Sequence, residues 1–509
     1  MNFEILKAPK RGNSLLVVFL YKDISSTDNP EKPPLSAQFN SGQSDDFLRR
    51  LFKSGEISGK KGNQTLIHTM MIDDFSYRSL HLDNLVKPER ILFYGLGDPD
   101  KVSSTLIRDS FASISKKVVN LKLTSFSVIT ETIQTVSSED AVRSAAEGTM
   151  LGSYRFSEFK TEGIEETKLE NVEFLVNDSQ DVSKLESQLF STKVSCVASL
   201  KARDLVNRPP NLVNPEYLKN FSTDLVNHSN NLSIEILDKP ELEKLQMRAF
   251  LGVAQGSTAD PFGIVINYEG DPENNNNNIW LIGKGITFDS GGLSLKPPMA
   301  MTTMKSDMSG GAAVITAMEA ISALGPKINV TGLCLATENM PDGGAQRVGD
   351  IVESMSGRTI EIENTDAEGR LTLADGVEFA KQRGAQKIID VATLTGAMVI
   401  SLGHGLIGAF SNNPPLLEAV VKAGEVTGEK IWRMPLDETS KKQNRSKVAD
   451  IKNTGGRAAG SVTAAHFIGE FVGNTPWVHL DIAGTAMNDS GGATGFPCRT
   501  LIQVVLDLS

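Results

Sequence analysis

Three polar clusters in the second half of the chain carry the residue types that hold metal ions. The octet Asn364-Thr365-Asp366-Ala367-Glu368-Gly369-Arg370-Leu371 sets two carboxylates two residues apart, with a guanidinium two further on. In extended backbone, residues i and i+2 face the same way. Asp366 and Glu368 are therefore expected to offer oxygens to one point, with Arg370 following on that side if the extension persists. Carboxylate oxygens are hard ligands suited to divalent cations. A guanidinium beside a metal implies an anion held between them. Taken alone, the octet fits a solvated acidic turn equally well.

The second cluster runs from Gly283 to Pro297 and reads GKGITFDSGGLSLKP. It follows an apolar run directly. A phosphate-binding loop would need a glycine six residues before the lysine and a hydroxyl residue after it, and those positions are Asn278 and Gly285. Lys284 and Asp289 are instead expected to line one loop. An amine binds a metal only when neutral, and a cation beside it depresses its pKa strongly. The third cluster is Met304-Lys305-Ser306-Asp307-Met308-Ser309-Gly310-Gly311. Asp307 stands just before an expected helix, where position alone suits an acid favoured by the helix N-terminus.

These clusters need a scaffold that brings them together, and the hydrophobic pattern supplies one. Strands are expected at Leu232–Leu237, Gly263–Tyr268, Ile279–Gly283, Ile328–Ala336 and Lys387–Ala392. Helices are expected at Pro240–Met247, Gly310–Leu324, Arg370–Gln382 and Pro415–Val426. Asn214 caps a further helix that Pro215 opens. Five consecutive asparagines, Asn274 to Asn278, read as a loop tip. Alternation of strand and helix predicts a largely parallel sheet covered on both faces, with ligands outside the carboxyl ends of the strands. The three clusters fall at such ends.

Upstream, residues 1–178 read as a separate α/β unit, with strands at Leu15–Leu20, Arg90–Gly97 and Val172–Val176 and a helix at Ser103–Val119. The glycines Gly95 and Gly97 suggest a dinucleotide fingerprint, but its sixth position is Asp100, so that motif fails. Residues 179–204 form a connector, with a helix from Val182 to Ala202, and residues 205–509 form the second unit.

Composition excludes several classes. A formal charge of −11 argues against a dominant nucleic-acid surface. Cys196, Cys334 and Cys498 are odd in number and widely spaced, which suits free buried thiols in a reducing compartment. No two of the six histidines are spaced as a zinc-binding pair. The N-terminus lacks a signal-peptide pattern and no run is long enough to span a membrane, so a cytoplasmic location is expected.

Taken together, the clusters resemble the leucyl aminopeptidase (cytosol aminopeptidase) family of dinuclear metallopeptidases. The octet NTDAEGRL is that family's signature, and GKGITFDSGG, a later lysine and MKSDM follow the family's order. So do Ala336 to Pro341, Ala392 to Ala397 and His479 to Thr485. The resemblance covers roughly Lys201 to the C-terminus and is looser in the N-terminal third. It implies two α/β domains, a smaller macro-like N-terminal domain and a larger catalytic domain with a mostly parallel central sheet flanked by helices. It also implies two divalent metal ions per subunit, manganese, zinc or magnesium. One would be held by Lys284, Asp289, Asp307 and Glu368, the other by Asp289, Asp366 and Glu368. Charge supports this independently, because four carboxylates balance two divalent ions once Lys284 is neutral. Two-metal sites activate water by lowering its pKa toward about 7. By the same resemblance Lys296 stabilises the oxyanion and Arg370 holds a bicarbonate that acts as general base. Met304, Thr393, Gly396 and Ala483 would line the substrate pocket, and Thr393-Leu394 would offer backbone acceptors. The substrates would be peptides with a free N-terminus and leucine-like first residues, and the assembly a homohexamer of two stacked trimers.

The departures from the family pattern are Arg248, where glycine is usual, and Val348 in the Arg347-Val348-Gly349-Asp350 turn. A scaffold or DNA-binding regulator of the same fold is a competing reading, but it gives no reason to keep the whole ligand set. The basic pairs Lys60-Lys61 and Lys116-Lys117 are also too sparse for a nucleic-acid surface. Dipeptide hydrolysis of the Cys-Gly type would use the same residues.

Overall fold

The computed structural model describes residues 1–6, 14–22, 51, 54–71, 88–130, 133, 136–164, 167–176 and 180–509. The chain divides into two compact units, Met1–Cys196 and Val197–Ser509. The division falls inside a continuous helix, Val182–Asn207, which runs five residues beyond its expected end at Ala202.

In the first unit, strands β1 (Asn2–Leu6), β2 (Leu15–Tyr21), β3 (Gln64–His68), β4 (Arg90–Gly97), β5 (Ser125–Ile129) and β6 (Asn171–Leu175) form one sheet in the order β1-β6-β5-β2-β4-β3. Its pairings are parallel except for β3 against β4. β2 is buried at every position, as its unbroken apolar run requires. Phe19, Phe111, Phe126 and Phe174 form the centre of this core. The helix Ser104–Asn120 is capped by Ser103, which accepts from the Leu106 amide at 3.3 Å.

The second unit is built on an eight-stranded sheet. Its strands are β7 (Leu232–Leu237), β8 (Phe262–Glu269), β9 (Asn278–Asp289), β10 (Asn329–Asn339), β13 (Ile388–Ala392), β14 (Ile407–Ser411), β15 (Ile431–Arg433) and β17 (Trp477–Asp481). They lie in the order β15-β14-β17-β13-β9-β10-β8-β7. The four central strands β17, β13, β9 and β10 are mutually parallel. Three pairings toward the margins, β14–β17, β10–β8 and β7–β8, are antiparallel, so the sheet is more mixed than the alternation of elements suggests. The cause on one side is the short link 270–277, which contains most of the asparagine run. A parallel crossover needs a dozen or more residues. β9 therefore returns opposite to β8, and β10 inserts between them.

β9 also differs from expectation in length. It does not end at Gly283 but runs through Lys284 to Asp289, so these two residues share a strand rather than a loop. Five residues apart, they would face opposite sides of a regular strand. The pairing with β10 slips between Ile286↔Thr337 and Asp289↔Asn339. A bulge of this kind re-aims the side chains beyond it, which accounts for both residues reaching one site. A smaller sheet of β11 (Ile351–Glu353), β12 (Thr359–Glu361) and β16 (Ile451–Lys452) stands beside the octet.

Close packing of backbone brings the clusters together. The helix Ser309–Leu324 approaches the sheet so tightly that a Cβ on Gly310 would lie 2.1 Å from the Val391 carbonyl oxygen. A Cβ on Gly369 would lie 2.6 Å from Lys284 Cε. Glycine at these positions is a condition for the helices to sit where they do.

Candidate metal centre

The octet is not extended. The Ala367 amide donates to the Asn364 carbonyl at 3.2 Å, and the Asp366 amide to Asn364 Oδ1 at 2.9 Å. This turn, followed at once by the helix Gly369–Gln382, replaces the expected strand geometry. It still brings Asp366 and Glu368 together, because the asparagine side chain stabilises the turn. One carboxylate oxygen each from Asp289, Asp366 and Glu368 lie within 4.8 Å of one another.

Two lysines hold these acids. Lys284 Nζ lies 2.7 Å from Asp307 Oδ2 and 2.7 Å from Glu368 Oε1, and donates to the Thr393 carbonyl at 3.2 Å. Lys296 Nζ lies 2.8 Å from Asp289 Oδ2 and also contacts Asp366 Oδ1. Asp307 does not cap the helix that follows it. Its carboxylate takes Lys284 and the Thr393 hydroxyl, the latter at 2.7 Å, and Met308 stands at the cap without a side-chain bond. Arg370 donates through Nη1 to the Asn453 carbonyl at 2.9 Å, while its buried Nε has no hydrogen-bond partner among the described residues.

Electrostatics follow from burial. Asp307, Asp366 and Glu368 titrate above the usual carboxylate range, first because they are buried and then because they repel one another and Asp289, against the pull of the lysines. Burial alone would lower the Lys284 and Lys296 ammonium pKa values, but the surrounding acids outweigh it and raise them. Burial pulls the Arg370 guanidinium down to about 10. This donor set fits divalent cations. Buried carboxylates crowd together in excess of the ammonium groups that face them, and hard oxygen ligands with one amine accept manganese, zinc or magnesium.

All twelve residues singled out from the sequence line one cavity of about 1020 Å³. They are Lys284, Asp289, Asp307, Asp366 and Glu368; Lys296 and Arg370; and Met304, Thr393, Leu394, Gly396 and Ala483. The sequence reading assigned no role to Asn339, Asn453 or Asp481. Asn339 Nδ2 donates to Asp289 Oδ1 at 2.8 Å and to the Thr365 carbonyl at 3.0 Å, fixing two of the clusters against each other. Asn453 Oδ1 accepts from the Glu363 amide at 2.9 Å, and its carbonyl holds Arg370. The signal available was a polar side chain at the end of an apolar strand, as in Leu335-Ala336-Thr337-Glu338-Asn339.

Comparison with known proteins finds one family across both units. Residues 200–502 match the model of the cytosol aminopeptidase family, catalytic domain, and residues 17–163 match that family's N-terminal domain. A probable cytosol aminopeptidase of Alkaliphilus metalliredigens is 35% identical over 99% of both chains. Another, from Solibacter usitatus, is 40% identical over 90% of this chain and 92% of its own. Among solved structures, a tomato leucine aminopeptidase mutant superposes with a TM-score of 0.85 at 31% identity, covering 99% of this chain and 97% of that one. The bottromycin maturation enzyme BotP in complex with Mn gives 0.81 at 30% identity, over 97% and 99%.

Proposed function

The chain belongs to the cytosol aminopeptidase family and is a metal-dependent aminopeptidase, and we propose that it releases leucine-like residues from peptides with a free N-terminus at the cavity just described. The observation that carries this reading is the buried excess of carboxylate on the cavity floor. Lys284, Asp289, Asp307 and Glu368 would hold one divalent ion, and Asp289, Asp366 and Glu368 the other. When bound, the ions supply positive charge that acidifies water, polarises a carbonyl and attracts a free α-amine. The Mn in the BotP complex supports manganese as the first ion to test.

The chain's own residues do the rest. Lys296, mostly buried and lining the cavity, brings an ammonium donor to the site where a carbonyl oxygen gains charge. Arg370 is the residue to hold a bicarbonate, which supplies a base; the unpartnered Nε supports an anion there. Met304, Thr393, Gly396 and Ala483 form the apolar wall for the first side chain. Such walls separate similar apolar groups only weakly, so methionine and leucine substrates should both be used. The proposed assembly is a homohexamer of two stacked trimers in the cytoplasm.

The test is hydrolysis of leucine amide against N-acetyl-leucine amide by protein stripped of metal and resupplied with Mn²⁺ or Zn²⁺. Metal-dependent release of leucine from the free-amine substrate alone is the expected result. No activity with any metal, on folded hexameric protein, sinks the proposal.

A further inference from the structure

Asp481 ends strand β17 and is fully buried, yet it touches none of the proposed metal ligands. One of its oxygens, Oδ1, accepts from three backbone amides: Leu394 at 3.1 Å, Ala483 at 3.1 Å and Thr395 at 3.4 Å. The other, Oδ2, accepts from the Thr395 hydroxyl at 2.6 Å. That hydroxyl in turn accepts from the Met398 amide at 3.2 Å, which starts the helix Gly396–Leu402. One carboxylate therefore ties together two of the chain segments that line the cavity's apolar wall, 393–400 and Ala483.

We infer that Asp481 is the positioning residue of the substrate side-chain pocket, setting its preference for leucine-like groups without contacting substrate. The inference rests on the aminopeptidase reading. Four donors converge on one side chain at the point where two strands leave the sheet. A carboxylate has the acceptor capacity for all four, whereas an amide must turn one donor toward the Thr395 hydroxyl. Removing the carboxylate leaves three amides, one buried and two part-buried, without their acceptor and frees the wall to shift.

The experiment compares leucine amide with glycine amide on Mn-loaded full-length protein for wild type, Asp481→Asn and Asp481→Ala. In D481A the KM for leucine amide should rise about tenfold or more, the range that one or a few apolar contacts supply, while glycine amide moves far less. Manganese content should stay at the wild-type value, and D481N should fall between wild type and D481A. Equal losses on both substrates, or unchanged kinetics with only a lower melting temperature, overturn the inference. So does D481N falling as far as D481A, because the acceptor pattern would then not be what matters. If D481A does not fold, Thr395→Val removes the hydroxyl alone and should shift leucine amide in the same direction by less; an unselective loss there also overturns it. A wild-type protein inactive on both amides defeats the aminopeptidase reading as well, whereas an active wild type with unselective variants defeats only the role of Asp481.

Discussion

Two buried charge clusters, one in each unit, are built in opposite ways. In the first, Arg108 Nε meets Glu147 Oε2 at 2.6 Å, a cation against an anion, both buried. In the second, Lys284 and Lys296 face Asp289, Asp307, Asp366 and Glu368. Four negative charges against two positive leave an excess of two, and counting Arg370 still leaves one. A balanced pair is a structural arrangement whose net worth is small, because desolvation offsets attraction. An unbalanced cluster is costly unless something further arrives to neutralise it, and three of its acids respond by titrating high. The imbalance, not the number of charges, separates a ligand site from a structural ion pair.

Replacing Glu368 with glutamine breaks the comparison most severely. It removes one of the excess acids while keeping the shape. Activity should fall by more than the 10²–10³ typical of losing a single oxyanion donor, and manganese content should drop. The melting temperature of the metal-free protein should hold or rise, because repulsion is relieved. A stability loss comparable to the activity loss would show that the cluster is structural after all.

The balanced pair should behave in the reverse sense. Arg108→Leu takes this buried cation away from Glu147, and unfolding should become easier by about 3–5 kcal/mol. Adding Glu147→Leu should recover most of that. Denaturant melts of the single and double variants measure this, and kcat on leucine amide per folded molecule should not change.

Lys296 tests the difference within the site itself. Its side chain is 14% exposed against 2% for Lys284, and it reaches Asp289 and the more exposed Asp366. Lys296→Met should reduce kcat by about 10²–10³, about 2.7–4 kcal/mol, with both metals still bound. Loss of metal together with activity would make Lys296 part of the ligand shell instead.

Much of this site was legible in the sequence because chemistry fixed the residue types. Spacing alone left Asp366, Glu368 and Arg370 open to a solvated acidic turn, and the family resemblance is what singled them out together with Lys284 and Asp289. The geometry was less legible. The octet turns where extension was expected, because the Asn364 side chain captures the Asp366 amide, and that depends on three-dimensional context. The bulge that turns Asp289 toward the site depends on the neighbouring strand's register, which no local pattern encodes. Strand and helix positions around the site came out close to expectation, for instance Leu232–Leu237 and the Asn214-capped helix at Pro215. The margins of the sheet did not, because strand direction depends on connection length rather than hydrophobic period. Asn339, Asn453 and Asp481 act by holding other residues, and their mark in the sequence is at most a polar side chain ending an apolar strand, as at Asn339 and Asp481.

The exposed pair Arg248–Glu353 completes the comparison at the small end. Its atoms lie 3.0 Å apart, but the side chains are 50% and 44% exposed. Water screens such pairs, and holding two long side chains in register costs entropy, so the coupling should be about 0.2–1 kcal/mol. Arg248 stands at the start of the helix Arg248–Ala254 and faces β11. A double-mutant cycle of Arg248→Ala and Glu353→Ala, read by urea melts, isolates the pair. At 1 M salt the screening length falls to about 3 Å, and the coupling should vanish there, whereas the buried Arg108–Glu147 pair should keep most of its own. A coupling above about 2 kcal/mol, or one indifferent to salt, would mean that exposure alone does not separate these two kinds of ion pair.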